Sequence, residues 1–157
     1  MPTRLTADDA RQSLNAHVAE KGAEIHRKYG PTIGWPELLR IVADRSSVRY
    51  PCEIAFDAGP LEAGECAHPV MLSDRPEDGF RLCIHPFFNA RLEDVPYLAF
   101  YQLVLVNYGE FASADDAETF GAGAMGMSKD EYYERVCELT DAFTGGGGCS
   151  CGCGEHG

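Results

Sequence analysis

Positive charge is scarce in this chain and grows scarcer along it. Thirteen Lys and Arg stand against 25 Asp and Glu, a net charge of −12. Residues 1–50 hold eight basic and six acidic side chains, residues 51–109 three and nine, and residues 110–157 two and ten. So acidic a surface repels a phosphate backbone, which argues against nucleic acid as a partner. It also raises the local concentration of cations around the second half. Long hydrophobic runs are missing too. The most apolar stretch, Val95 to Val106, is interrupted by Tyr and Gln and is too short for a bilayer. The opening MPTRLTADDA lacks the apolar core of a signal peptide. The expectation is a soluble, cytoplasmic protein with no membrane partner. Its seven cysteines would then be mostly reduced, and an odd number of thiols in a reducing compartment points to metal more than to disulfides.

The 45% hydrophobic and 10% aromatic content is that of a globular protein. Helix starts are marked by [ST]-x-x-[DE] at Thr6–Asp9, Ser113–Asp116 and Ser128–Glu131, the spacing of a capping box. The first helix runs about twenty residues to Gly30-Pro31, with Ala10, Leu14, His17 or Val18, and Ile25 at helical spacing. Pro36 suits the first turn of WPELLRIVADR. The period then changes to two. Tyr50, Cys52, Ile54 and Phe56 alternate, residues 66–72 form a second strand candidate, and Phe80, Leu82 and Ile84 oppose Arg81, Cys83 and His85. VPYLAFYQLVLVNYG, ADDAETFGAGAMG and KDEYYERVCELTDAF read as three further helices. The fold class is α+β, with a short antiparallel sheet packed against several helices. Residues 1–144 form one domain, and residues 145–157 a flexible Gly/Cys-rich C-terminal tail.

That tail, GGGGCSCGCGEHG, carries Cys149, Cys151, Cys153 and His156 within eight residues. Gly152 and Gly154 allow the backbone to fold three thiolates around one ion. With His156 the set is Cys₃His, a recognised zinc set. Thiolates also suit Cu(I) and iron–sulfur clusters, and His156 suits Ni(II). Four preceding glycines make a tether reaching roughly 10 Å, which suits transfer or sensing. The other reading is incidental or redox-active thiols.

A second pattern, C-x-H-P, occurs at Cys66-Ala-His68-Pro69 and Cys83-Ile-His85-Pro86. If Cys66 lies opposite His85 and His68 opposite Cys83, four donors share one sheet face as an alternative Cys₂His₂ site. A slip by one residue ends that arrangement. Otherwise Cys66 and Cys83 are small buried hydrophobes. Glu110, Asp115, Asp116 and Glu118 form an acidic group that also suits a helix start. His17 and His26 read as packing or surface residues, and Cys52 and Cys137 as core.

The segments FRLCIHPFF, AFYQLVLVNYGE and ADDAETFGAGAMG, across residues 80–127, have a layout that resembles the small zincin-like metallopeptidases. In that family a strand leads into a helix bearing H-E-x-x-H, and a later helix supplies an acidic ligand. At the motif positions this chain has Tyr101, Gln102 and Leu105. They offer neither two imidazole ligands nor a general base, so the resemblance implies a zincin-like fold without peptidase chemistry. Asp116 or Glu118 stands where the acidic ligand would be.

The chain therefore reads as a small metal-binding protein, a carrier, accessory or sensor with a possible protein partner for metal transfer. The alternatives are an altered zincin-like enzyme pocket near His85, Cys83, Tyr101, Asn107 and Glu110, a redox or iron–sulfur protein, and an acidic scaffold for a basic partner.

Overall fold

The computed structural model describes residues 7–144, the side chains of Ala7, Asp8 and Glu110 excepted. Thr6 and the Gly/Cys segment lie outside the described residues.

Helix α1 (Ala7–Tyr29) collects His26, Arg27 and Lys28 in its last turn, where cations complement the helix dipole. It stops at Gly30, whose N–H donates to the His26 carbonyl at 2.7 Å. Helix α2 (Trp35–Val42) has Pro in its first turn and buries Leu38, Ile41 and Val42. Glu37 reaches back to accept from the Gly34 N–H at 2.9 Å. Beyond α2, Asp44 gathers the turn. It accepts from the Ser46 N–H and hydroxyl, from Lys28 Nζ at 2.6 Å and from the Tyr29 hydroxyl at 2.7 Å. One carboxylate thus ties the ends of α1 and α2 together. Those donors hold the Asp44 carboxyl well below the usual aspartate range, the Lys28 bond contributing most. A carboxylate whose pKa falls on folding adds stability above its unfolded value and loses it as the pH drops. Asp44→Asn should therefore destabilise the protein at pH 7, and the gap to wild type should close as the pH falls below 3.8. Urea unfolding across a pH series reads this. A gap that stays constant down to acid pH would contradict it.

The sheet has three strands, β1 (Cys52–Phe56), β2 (Ala67–Met71) and β3 (Phe80–Ile84), in the order β1-β3-β2. β2 and β3 pair antiparallel, with Ala67 opposite Ile84 and Met71 opposite Phe80. β1 pairs parallel with β3, Cys52 opposite Phe80 and Phe56 opposite Ile84. The sheet is mixed, not antiparallel as its alternation suggested. β2 reaches one edge of β3 by a hairpin, and residues 57–66 carry the chain from β1 past β3 to that far edge. Phe80, Leu82 and Ile84 point into the core, while Arg81 on the opposite face is exposed and pairs with Glu53 at 2.6 Å.

The core is organised by helix α3 (Val95–Tyr108). None of its residues is exposed, and Val95, Leu98, Ala99, Phe100, Leu103, Val104 and Val106 are buried. A helix apolar on all sides must be covered on all sides. β2 and β3 lie along it, and helices α4 (Ala114–Met125) and α5 (Lys129–Thr144) close the rest. Gly109, at φ 65°, ends α3 in the left-handed region that favours glycine. Both later capping boxes form. Ser113 Oγ accepts from the Asp116 N–H at 3.1 Å and Asp116 from the Ser113 N–H at 2.9 Å. Ser128 and Glu131 repeat the pattern.

Two polar groups inside this packing are satisfied. Asp94, at the start of α3, is 2% exposed and meets Arg135 Nη2 at 2.7 Å and Arg91 Nε at 3.1 Å. A lone buried carboxylate would be costly, and two guanidinium groups offset that cost. Asn107 accepts from the Arg49 N–H at 2.8 Å and donates to the Ser47 carbonyl at 3.1 Å, clamping the turn after α2 to the end of α3.

Candidate functional site

Cys149, Cys151, Cys153 and His156 lie outside the described residues. The alternative site, Cys66, His68, Cys83 and His85, is described in full. The register it requires is present: His68 stands opposite Cys83, and the His85 N–H donates to the Cys66 carbonyl at 2.8 Å. The side chains nevertheless take other partners. Cys66 lies just before β2, and its thiol, 4% exposed, is 3.8 Å from the Thr140 hydroxyl on α5. His68 is exposed, with Nδ1 3.4 Å from Glu65. Cys83, in the middle strand, is fully buried. Burial and, after it, the nearby Asp57 push its thiol pKa up, away from the thiolate that metals and electrophiles need.

His85 is committed in a different way. Its ring lies 4.4 Å from that of Phe143, and Nδ1 accepts from the Phe87 N–H at 3.0 Å. In the neutral ring this places the proton on Nε2, so neither nitrogen presents a free lone pair to an ion. Among the described residues no group of three or more His, Cys, Asp or Glu is assembled that could hold a metal.

The remaining candidates are structural in their contacts. Asp116 is buried and caps α4, where it also accepts from Asn15 Nδ2 at 2.9 Å. Asp115 pairs with Lys129. Burial raises the Glu118 pKa, and the Glu110 side chain lies outside the described set. His17 packs edge-on against Tyr108, and His26 Nδ1 is 3.1 Å from the Ala124 carbonyl. Cys52 and Cys137 are half-buried, Cys52 packed against the core. Burial lifts the Cys52 thiol to about 11.

A cavity of about 230 Å³ opens between α3, α5 and the loop entering β2. Glu62, Glu65, Cys66, Tyr101, Gln102 and Thr140 supply its polar wall, and Ala63, Ala67, Leu98 and Val136 its apolar one. Of the residues expected near the sheet–α3 junction, Tyr101 lines this cavity, while His85, Cys83 and Asn107 do not. Cys66 joins Tyr101 here because residues 62–67 fold over α3, a placement without a local sequence signal. Gln102, at a motif position of the zincin-like layout, also reaches the cavity.

No described helix is long and apolar enough to cross a membrane. No protein family matches the chain, and no curated protein or solved structure does either.

Proposed function

We propose that the chain is a small, soluble, cytoplasmic metal-binding protein, a carrier, accessory or sensor. It captures a soft or borderline transition metal with the thiolates of Cys149, Cys151 and Cys153 and the imidazole of His156. The observation that carries this reading is the density of donors, four within eight residues behind four glycines. Three thiolates and an imidazole fit the tetrahedral preference of zinc and the softness of Cu(I). Residues 7–144 support it by contrast. They bury an extensive apolar core, and none of the four cysteines among them is in a disulfide. A domain so packed holds its shape without the ion, which leaves the donor segment to serve capture and hand-over to a partner protein.

The cavity at Cys66 favours an enzyme as the second reading. A nucleophilic cysteine needs a base within hydrogen-bond reach. The Cys66 thiol has the Thr140 hydroxyl beside it, and the histidines of both C-x-H-P motifs are engaged elsewhere.

The test compares the full chain with a variant lacking residues 145–157, both purified without chelator. Elemental analysis should find about one metal ion per full chain and none in the deletion. Far-UV circular dichroism and the thermal midpoint should match between the two. Because thiolates are the ligands, the ion should be released as the pH falls. A truncated protein that keeps the metal at equal stoichiometry and affinity would overturn the reading.

A further inference from the structure

The chain's few cations are not spread evenly through the fold. Lys28, Arg81, Arg91, Lys129 and Arg135 each meet a carboxylate. Arg45 and Arg49 do not, and among the described residues neither forms an ion pair. Both line a cavity of about 260 Å³ between α1 and the turn after α2, together with Lys21, His17 and Tyr108. No carboxylate lines this cavity. In a chain of net charge −12, two arginines without an ion pair beside a space that no carboxylate lines are an unsatisfied arrangement, and Lys21, whose own partner Glu24 stands outside the lining, adds a third cation.

The cations are also held in place. Lys21 Nζ donates to the Ser46 carbonyl at 2.9 Å, bridging α1 to the turn. Arg45 Nη1 donates to the Val42 carbonyl at 3.3 Å, and Arg49 Nη1 to the Asn107 carbonyl at 3.4 Å. A guanidinium has five N–H donors, so each arginine keeps most of its fork for a ligand. The turn that carries them is clamped by the buried Asn107. Acidic groups do stand nearby, and two of them, Glu24 and Asp44, have basic or hydroxyl partners. Glu24 is 3.0 Å from Lys21 Nζ, and Asp44, behind Ser46 and Ser47, is held by Lys28 and Tyr29. Glu20 lines an adjoining depression with His17, Lys21 and Glu24.

We propose that this cavity binds the phosphate group of a small molecule, with Arg45, Arg49 and Lys21 as its cationic ligands. Two forked guanidinium groups and one ammonium match a phosphate dianion better than a single-charge carboxylate. The acidic remainder of the surface turns away a polyanion, so the ligand is a small phosphate compound and not a nucleic acid. This inference is independent of the metal-binding segment.

The experiment titrates the full chain with inorganic phosphate and, separately, with glycerol 3-phosphate at constant ionic strength, followed by calorimetry and backbone amide shifts. Saturable one-to-one binding should move the amides of residues 45–49, 107 and 108. Tighter binding of glycerol 3-phosphate identifies a phosphate ester as the ligand class, and equal binding identifies the free ion. Arg45→Gln and Arg49→Gln should each weaken binding by about tenfold or more, the effect of losing a charge-assisted hydrogen bond. Both side chains are exposed, and the Arg49 N–H bond to Asn107 is made by the backbone, so both variants should fold. Lys129→Gln, which does not line the cavity, should bind as wild type does. Failure of both probes to bind saturably up to about 10 mM, a limit beyond millimolar affinity, would overturn the proposal. So would binding that both glutamine variants leave unchanged.

Discussion

Phe120→Ala should lower the unfolding free energy by about 3–5 kcal/mol, the usual cost of emptying a buried phenylalanine site. The ring is fully buried. It meets Phe100 of α3 edge-on, with ring centroids 5.9 Å apart and planes at 71°. Alanine would remove that pair and leave a void between α3 and α4, which neighbours already close-packed fill only in part. Against a total stability of about 5–15 kcal/mol for a domain of this kind, the loss is large. Urea denaturation should show a lower midpoint with an unchanged slope. Phe120→Leu keeps most of the volume and should cost less than about 1.5 kcal/mol. An alanine variant within error of wild type would mean that the α3–α4 contact does not carry the core.

Gly22→Val should destabilise the protein by about 1–3 kcal/mol or more. Helix propensity alone argues the reverse, because an interior glycine costs about 1 kcal/mol relative to alanine. Geometry decides between the two. A Cβ on Gly22 would lie 2.6 Å from the Phe120 carbonyl oxygen, 3.2 Å from Ala124 N and 3.3 Å from Gly123 Cα. All three are backbone atoms and cannot rotate away. Gly123 faces α1 in return, its own Cβ position 3.2 Å from Ala23 N. α1 and α4 therefore touch backbone to backbone, and a branched side chain must push them apart. Hydrogen exchange should report it, with α1 amides losing protection before those of α3. Retained protection in α1 would refute the close-approach account.

These two sites bear on what can be read from the chain directly. Helix ends are local chemistry. Ser113 with Asp116, Ser128 with Glu131, Pro36 and Gly109 each act within a few residues, and each marks the boundary it announces. Strand faces are also local, as Phe80, Leu82 and Ile84 show. Strand partners are not. Alternation around Ile54 says which side is apolar but not which edge of β3 the strand will occupy, so the parallel pairing of β1 was illegible.

The C-x-H-P motifs lie between these extremes. Their register follows from hairpin pairing, and the register does form. Two of the donors, Cys66 and His85, are engaged by α5, whose Thr140 and Phe143 arrive from more than fifty residues away. The Lys21–Arg45–Arg49 cavity could not be read either, because the count of charges in residues 1–50 does not say that three of them converge. The sequence offers Asn107 only as one polar group of a pocket beside the apolar helix. Its role as a clamp on Ser47 and Arg49 needed the fold.

The parallel pairing of β1 with β3 also dictates an order of assembly. The β2–β3 hairpin closes a short loop and zips on the microsecond scale. β1 must wait, since its partner is made after it and the intervening chain has to be reined in first. During synthesis from the amino end, CEIAF leaves the ribosome with its hydrogen-bonding groups unmet until Phe80–Ile84 follows. In that interval its unpaired edge is open to chaperones and to mispairing with a neighbouring nascent chain.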